Sequence, residues 1–234
     1  MPIYRLPREF FFPPPEDAEP SGLLAIGGGL EPQRLILAYS QGIFPWYSEG
    51  QPILWFSPDP RFVLVPEEFH MSRSLKKRIK KRDFVVTFDQ DFSSVIKQCS
   101  KVPRPGQSGT WITDDMIDAY EKLHQLGIAH SVEVYLDKVL VGGLYGICLG
   151  NIYFGESMFA LVSDASKVGF SYLVRQLESW GIKMIDSQVH TEHLERFGAR
   201  HIPRREYLSI VHDLVGIPRI RKKWSFDDGF FPLK

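Results

Sequence analysis

The sequence contains little cysteine, has no net charge and has no long apolar run. Only two of its 234 residues are cysteines, Cys99 and Cys148, which predicts neither a disulfide framework nor a cysteine zinc site. Its 28 Lys and Arg balance 28 Asp and Glu, so nucleic-acid binding would need a local patch of charge. No run approaches the roughly 18 apolar residues of a membrane span, and the N-terminus lacks the apolar segment of a signal peptide. We therefore expect a soluble, cytoplasmic protein, and in the absence of a heptad repeat we expect a monomer.

Several common catalytic and binding motifs are also missing. The glycines at 27–29 are not followed by Lys-Ser/Thr and fit no dinucleotide-binding pattern, so we predict no phosphate loop there. His190, His193 and His201 lack a carboxylate or further ligand at the spacing that zinc requires, so we predict no metal site. Ser157 lies in no Gly-x-Ser-x-Gly elbow, which argues against a Ser-His-Asp triad.

The second half of the chain has the clearest pattern of secondary structure. Alternating apolar segments separated by turn residues predict an antiparallel meander over 131–135, 139–148 and 152–159. An amphipathic helix is predicted for 164–180 and a further strand for 183–189. This order of elements indicates an α+β fold or a mixed sheet. A loop containing Pro103, Pro105, Gly106 and Gly109 indicates a soft domain boundary.

Three polar residues interrupt the apolar strands of this half. They are Glu156, Asp186 and Gln188. A carboxylate in such a segment is costly unless it is paired or takes part in chemistry, so these residues are the first catalytic candidates. Asp186 and Gln188 are two positions apart and would share one face of a strand. The alternative is that all three simply end strands or cap neighbouring helices.

A short segment near residue 75 is dense in positive charge. Leu75 and Ile79, four positions apart, predict a helix with one face on the core. The other side chains would project into water, where their mutual repulsion favours a polyanion such as RNA as the partner. A solvated surface is the alternative. The positive residues are Arg73, Lys76, Lys77, Arg78, Lys80, Lys81 and Arg82.

Two tryptophans lie in loops rich in Pro and Gly. Trp46 follows Gly42-Ile43-Phe44-Pro45, and Trp111 follows Gly109-Thr110. Exposed loop tryptophans can stack on a nucleotide base. The alternative is that they fill the interface between the two halves of the chain.

The motifs of this chain, taken together and in order, resemble the leucyl/phenylalanyl-tRNA–protein transferase family. The resemblance extends from about Gly22 to Leu214. It is carried by Gly22-Leu23-Leu24-Ala25-Ile26-Gly27-Gly28, Gly42-Ile43-Phe44-Pro45-Trp46, Trp55-Phe56-Ser57-Pro58-Asp59-Pro60-Arg61, Gly109-Thr110-Trp111-Ile112-Thr113, Gly142-Gly143-Leu144-Tyr145-Gly146, Phe154-Gly155-Glu156-Ser157-Met158-Phe159, Ala165-Ser166-Lys167 and Ile185-Asp186-Ser187-Gln188.

The resemblance implies a fold and an activity. It implies a small N-terminal mixed α/β domain followed by a GNAT acetyltransferase-like domain, which we assign to residues 1–62 and 63–234, with a boundary as late as about 110. The implied activity moves Leu, Phe or Met from aminoacyl-tRNA to the α-amino group of proteins beginning with Arg or Lys, which marks them for N-degron degradation. Because the aminoacyl ester is already activated, neither a cofactor nor a metal is implied.

The resemblance also implies roles for individual residues. Gln188 would contact the attacking amine, Asp186 would orient Gln188, and Glu156 would either position the reacting groups or attract the cationic N-terminal side chain. Trp46 and Trp111 would stack on the terminal adenosine, and the positive helix would hold the tRNA backbone. The implied amino-acid pocket comprises Leu144, Tyr153, Met158, Phe170, Leu173 and Ile185.

This sequence departs from the family pattern in its pocket. Tyr153 stands where Phe is expected, Leu173 where an aromatic residue is expected, and Leu144 where Met is expected. These departures affect the preference among Leu, Phe and Met, and plain core packing is the alternative for all six residues.

Two other functions remain open at the sequence level. One is a CoA-dependent N-acyltransferase on the same fold. Phe159–Ala165 reads FALVSDA instead of a glycine-rich pyrophosphate loop, which argues against CoA. The other is a non-catalytic RNA-binding protein, against which the polar residues Glu156, Asp186 and Gln188 argue.

Overall fold

The structure, a computed structural model, describes residues 3–102, 110–216 and 223–233. The predicted loop with Pro103, Pro105, Gly106 and Gly109 lies outside these residues. Two β-sheets organise the described part of the chain, one of four strands and one of seven.

The small sheet is built from the N-terminal part of the chain, in the order β1-β2-β4-β3. The first two strands are parallel, and the remaining pairs are antiparallel. Its strands are β1 (Tyr4–Leu6), β2 (Leu23–Gly27), β3 (Phe44–Pro45) and β4 (Leu54–Phe56).

The large sheet has the order β11-β5-β10-β9-β8-β7-β6. All neighbours are antiparallel except β9 and β10, which run parallel. Its strands are β5 (Arg61–Leu64), β6 (Val85–Phe88), β7 (Ala129–Leu136), β8 (Val139–Leu149), β9 (Ile152–Ala160), β10 (Met184–Asp186) and β11 (Arg200–Ile202).

Seven α-helices are found in the described ranges. They are α1 (Pro32–Ser40), α2 (Arg73–Lys80), α3 (Phe92–Lys101), α4 (Asp114–Gln125), α5 (Ala165–Ser179), α6 (Glu192–Glu195) and α7 (Arg204–Val215). None of these helices has both the length and the apolar character needed to span a bilayer.

The central strands of the large sheet are shaped by the residues of one tight turn and by one glycine. Asp137 and Lys138 both have positive φ, as a tight two-residue hairpin between β7 and β8 requires. Gly142 in β8 lets the following helix lie close, because a Cβ there would be 2.7 Å from the Cβ of Ala165. The predicted meander and the long helix after it are therefore confirmed, with bounds that differ by one to two residues at most ends.

One strand differs from its prediction. The expected strand 183–189 ends at Asp186, because Gln188 has a φ of 57° and leaves the extended conformation. Asp186 and Gln188 therefore do not share a strand face, and that prediction is wrong.

Two hydrophobic cores lie on the two faces of the large sheet. The first continues from Leu6 and Trp55 of the N-terminal part to Tyr120 and Phe154, so the small sheet packs directly on the large one. The second contains Tyr153, Phe170 and Trp224. The predicted α+β class is confirmed, while the acetyltransferase-like character of the second unit and the division after residue 62 stay predictions.

Candidate active site

A cavity of about 510 Å³ opens between the small sheet, the middle of β9 and the end of β10. Its walls are mainly apolar or aromatic, with a few polar groups, which is typical of a site that binds a small apolar group in one orientation. The lining residues are Phe44, Pro45, Trp46, Trp111, Leu144, Tyr145, Tyr153, Gly155, Glu156, Ser157, Met158, Ser166, Phe170, Ile185, Ser187, Gln188, Val189, Thr191, His193 and Leu194.

Glu156 is positioned by a β-bulge in β9. The register passes from Tyr145 opposite Ser157 to Gly146 opposite Gly155, so Glu156 is the extra residue on its strand. Bulges of this kind rotate a strand locally and redirect a side chain, often beside an active site. The bulge turns Glu156 toward the helices of the first core.

Two buried tyrosines meet the Glu156 carboxyl group. The hydroxyl oxygen of Tyr39 on α1 lies 2.7 Å from Oε1, and the hydroxyl oxygen of Tyr120 on α4 lies 3.0 Å from Oε2. Burial raises the pKa of Glu156 to about 7, against the lowering effect of the two tyrosine hydrogen bonds. This carboxyl group therefore titrates in the range where an acid or base exchanges protons at neutral pH.

Asp186 lies behind the cavity and does not line it. Its carboxylate is fully buried and forms a bidentate ion pair with Arg61. Nε of Arg61 donates to Oδ1 at 2.9 Å, and Nη2 donates to Oδ2 at 2.7 Å. The hydroxyl of Tyr207 donates at 2.7 Å to the same carboxylate. Since a buried charge needs such partners, this network explains how an aspartate can end an apolar strand.

Gln188 connects Asp186 to the cavity. Its backbone N–H donates to Asp186 Oδ1 at 2.9 Å, which holds the left-handed turn after β10. Its side-chain Nε2 lies 3.4 Å from Glu156 Oε1. With the amide nitrogen toward Glu156, the amide oxygen of Gln188 is the atom left to accept a hydrogen bond from a ligand.

Trp46 and Trp111 line the same cavity, and each is half-buried. Trp46 packs against the first core and meets the ring of Phe56 edge-on at 5.8 Å between centroids. Each tryptophan packs on the first core and also presents surface to the cavity, so stacking on a base stays a prediction.

Five of the six predicted pocket residues line the cavity, namely Leu144, Tyr153, Met158, Phe170 and Ile185. Leu173 does not, and that prediction is wrong. Its side chain is fully buried in the second core, three positions beyond Phe170 on α5. Residues at this spacing lie on one side of a helix but one turn apart, so the cavity reaches Ser166 and Phe170 of α5 but not Leu173.

Two polar atoms in the cavity wall are buried without a hydrogen-bond partner among the described residues. They are the hydroxyl oxygen of Tyr153 and Nε2 of His193. The phenol of Tyr153 fits beside Gly146, where a Cβ would be 2.6 Å from its hydroxyl oxygen. The pocket therefore contains a hydroxyl group that a Phe at this position would lack.

Comparison with known proteins identifies the family. The family model described as "Leucyl/phenylalanyl-tRNA protein transferase" matches residues 63–212, and the model of its N-terminal domain matches residues 28–59. A leucyl/phenylalanyl-tRNA–protein transferase of Myxococcus xanthus is 55% identical over 96% of this chain and 97% of its own length. The chain belongs to the leucyl/phenylalanyl-tRNA–protein transferase family. It is therefore an aminoacyltransferase.

A second relative and one solved structure complete the comparison. The leucyl/phenylalanyl-tRNA–protein transferase of an Anaeromyxobacter species is 54% identical, with 99% of each chain covered. A GCN5-related N-acetyltransferase from Kribbella flavida aligns with a TM-score of 0.38 at 8% identity, covering 72% of this chain and 59% of that one.

The positive helix of this family member is α2, and it lies apart from the cavity. Leu75 and Ile79 are buried as expected, and Ser72 caps the helix by accepting from the N–H of Leu75. Five of the seven positive residues are exposed without a described ion pair or ring contact, namely Arg73, Lys76, Lys77, Lys80 and Lys81.

The other two positive residues are engaged within the protein. Arg78 pairs with Asp83 and stacks over Phe84, and Arg82 stacks over Phe231 at 4.5 Å. The expectation that the positive side chains project into water is therefore wrong for Arg78, which is half-buried, whereas Arg82 is exposed beside its ring contact.

Sequence reasoning missed the partners of the polar residues in this transferase. Arg61, Tyr39, Tyr120 and Tyr207 complete the networks around Asp186 and Glu156. The only available signal was that a buried carboxylate requires donors, and Arg61 stands in one of the motifs that carry the family resemblance. Nothing in the sequence pattern pairs these residues with Asp186 or Glu156.

Proposed function

We propose that the chain transfers Leu, Phe or Met from the 3′ end of aminoacyl-tRNA to the α-amino group of proteins that begin with Arg or Lys. The observation that carries this proposal is the single cavity lined by Trp46, Trp111, Glu156, Gln188 and an apolar pocket. Stacking surfaces suit a terminal adenosine, the pocket suits an apolar side chain, and the polar pair suits the ester and amine between them.

In the proposed reaction, Gln188 is the residue that receives the acceptor. Its amide oxygen accepts a hydrogen bond from the attacking amine, whose pKa near 8 leaves a useful neutral fraction at neutral pH. Asp186 acts as a positioning residue, because it holds the Gln188 backbone and is itself fixed by Arg61. Much of the rate then comes from holding amine and ester in a reactive arrangement.

The N-terminus of α5 supports an aminoacyl-tRNA donor over CoA. Asp164 precedes this helix in a left-handed conformation and pairs with Lys167 at 2.8 Å. A pyrophosphate bound there would meet the negative charge of this carboxylate, which opposes anion binding at the helix N-terminus. Titration with CoA should accordingly give no saturable binding.

The tRNA body is assigned to the exposed positive residues of α2. Their charge density in a chain of zero net charge supports this assignment. We further propose that the modified N-terminus marks the acceptor for degradation and that the reaction takes place in the cytoplasm, by a monomer.

The decisive experiment measures transfer of labelled leucine from Leu-tRNA to a peptide that begins with Arg, without CoA, ATP or added metal. A matched peptide that begins with Asp is the control. Transfer to the Arg peptide alone is the expected result. Transfer to neither peptide, or equally to both, would contradict the proposed acceptor specificity.

A further inference from the structure

Tyr39, Tyr120 and Glu156 form a closed ring of oxygen contacts. Besides the two contacts to the Glu156 carboxyl group, the hydroxyl oxygens of Tyr39 and Tyr120 lie 2.5 Å from each other. The three residues come from α1, α4 and the bulge of β9. Both tyrosines are fully buried, so water does not separate these groups.

The number of protons in this ring determines the charge of Glu156. Three oxygen–oxygen contacts at hydrogen-bond distance need three protons, and the two phenols supply two. If Glu156 were ionised, both phenols would donate to it, and their own contact would bring lone pairs together. A proton on Oε2 completes the ring, which then runs from Glu156 to Tyr120, from Tyr120 to Tyr39, and from Tyr39 back to Oε1.

The groups around the ring are consistent with a neutral carboxyl group. Asp186 opposes ionisation of Glu156 and Arg61 favours it. Because Asp186 and Arg61 form an ion pair with each other, their opposite effects on the Glu156 carboxyl group largely cancel. Tyr145 meets Tyr120 edge-on, and Gln188 contributes only a long contact. Burial is the largest influence, and the resulting pKa near 7 agrees with the proton count.

We infer that Glu156 is a protonated carboxylic acid in the resting enzyme, held in this form by Tyr39 and Tyr120, and that it donates this proton to the leaving 3′ oxygen. The inference rests on the proposed function for the identity of the leaving group. Glu156 is suited to this role because, among the described lining residues, it carries the sole carboxyl group that reaches the cavity. Tyr39 and Tyr120 are positioning residues.

The proposed step conserves atoms and charge. The amine nitrogen attacks the ester carbonyl carbon, the new N–C bond forms and the C–O3′ bond breaks. The 3′ oxygen takes the electron pair of that bond together with the proton of Glu156. The carboxylate then receives the surplus proton of the new amide nitrogen, which restores the ring. A neutral Glu156 does not act as the counter-charge for the acceptor Arg or Lys.

The first test is infrared difference spectroscopy of the unliganded protein, comparing wild type with Glu156→Gln at pH 6. We expect a carbonyl band of a protonated carboxylic acid that the variant lacks and that fades as the pH rises through about 7. Absence of this band from wild type would overturn the inference. Because no substrate is needed, this result is independent of whether the proposed transfer reaction is correct.

The second test separates proton donation from charge recognition by kinetics. Glu156→Gln should lower kcat for transfer by about 10²- to 10⁴-fold, with KM for the Arg peptide changed by less than about twofold. A raised KM with unchanged kcat would instead make Glu156 the anchor of the cationic side chain. Unchanged kcat and KM would make the residue merely structural, and either result overturns the proposal.

The tyrosines provide a second set of variants. Tyr39→Phe and Tyr120→Phe each open the ring, so both should lower kcat and move the pH at which the acid band fades. Tyr47→Phe is the matched control, since Tyr47 is a buried tyrosine that bonds Thr113 at 3.2 Å outside the ring. If opening the ring leaves kcat and the band at their wild-type values, the positioning role is wrong.

Discussion

Tyr153 brings an unpaired hydroxyl group into an otherwise apolar pocket. The side chain is only 1% exposed, and its hydroxyl oxygen has no hydrogen-bond partner among the described residues. An unsatisfied buried hydroxyl costs about 1–3 kcal/mol relative to the same group in water. This residue therefore lowers the stability of the unliganded protein, and a ligand that pairs with the hydroxyl would remove the cost.

Replacing Tyr153 with Phe should consequently not destabilise the protein. We expect an unfolding free energy equal to wild type or higher by about 1 kcal/mol in urea titrations, because no protein hydrogen bond is lost. Tyr207→Phe is the matched control. It removes a hydrogen bond to the charged Asp186 and should cost about 1.5–3 kcal/mol. A large loss of stability in Tyr153→Phe would show that its hydroxyl has a partner.

Trp46 and Trp111 are predicted to hold the terminal adenosine by stacking. Changing either residue to Ala should weaken binding of aminoacyl-tRNA by about 1–3 kcal/mol, because base–aromatic stacking contributes roughly that much. Filter binding at fixed salt measures this effect, with the Trp→Phe variants as conservative controls. Equal affinity in wild type and both Ala variants would refute the stacking role.

At the scale of elements, β5 and β10 are joined by an ion pair in addition to their backbone ladder. Arg61 and Asp186 are both fully buried, and Arg61 also donates to the carbonyl of Gly42 at 3.1 Å. The guanidinium packs between the rings of Phe44 and Tyr207. One arginine thus connects the small sheet, the large sheet and α7.

Asp186→Ala should therefore be strongly destabilising. Loss of one partner leaves a buried charge uncompensated, which costs about 3–5 kcal/mol in urea unfolding. Lys183→Ala is the control. Lys183 lies just before the same strand, and its exposed pair with Glu67 should contribute less than about 1 kcal/mol. Similar losses of unfolding free energy in the two variants would show that the buried pair stabilises the protein no more than the exposed pair does.

The positive face of α2 makes a separate prediction about tRNA binding. Reversing Lys76, Lys77 and Lys80 to Glu should weaken binding and reduce the slope of log affinity against log salt by about 0.7–0.9 per lost phosphate contact. The same change at the exposed residues Lys122, Lys138 and Lys183 provides a control of equal charge. An identical slope in both triple variants would remove α2 from the tRNA interface.

Local signals in the sequence predict the meander but not the turn after β10. The hairpin residue Asp137 belongs to a residue type that tolerates positive φ, so this turn has a local signal in the sequence. By contrast, the left-handed Gln188 is stabilised by Asp186 and by pairing with Phe62 of β5. The contact with Asp186 spans only two positions. The contact with Phe62 joins Gln188 to a strand more than a hundred residues earlier, which no local pattern encodes.

The candidate site shows the same division. Glu156, Gln188 and the two tryptophans are predicted by their chemical type in unusual surroundings. Their partners Tyr39 and Arg61 read as ordinary core and strand residues, since only the tertiary fold brings them to a carboxyl group. The predicted placement of Leu173 in the pocket fails for a related reason, because helical spacing does not show where a cavity ends.

At the scale of the whole molecule, Glu156 makes stability depend on pH. Burial raises its pKa from 4.5 to about 7, so the folded state binds this proton more tightly than the unfolded chain. The associated stability is complete below pH 4.5 and is lost as the pH rises to about 7. It amounts to roughly 3 kcal/mol.

Comparison with Glu156→Gln isolates this contribution. Over the range from pH 5 to pH 8, the unfolding free energy of wild type should decrease relative to the variant, by up to roughly 3 kcal/mol. Urea titrations at matched ionic strength measure the difference. Parallel pH profiles would mean that Glu156 binds its proton equally in both states.

The ring around Glu156 also has a consequence for the order of refolding. Tyr39 and Glu156 are separated by 117 positions, and Tyr39 and Tyr120 by 81. The meander of β7, β8 and β9 is held by local hairpins, which close quickly compared with contacts of such long range. After dilution from urea, sheet circular dichroism should therefore return before transferase activity does. The delay between the two signals would measure the docking of the N-terminal part on the large sheet.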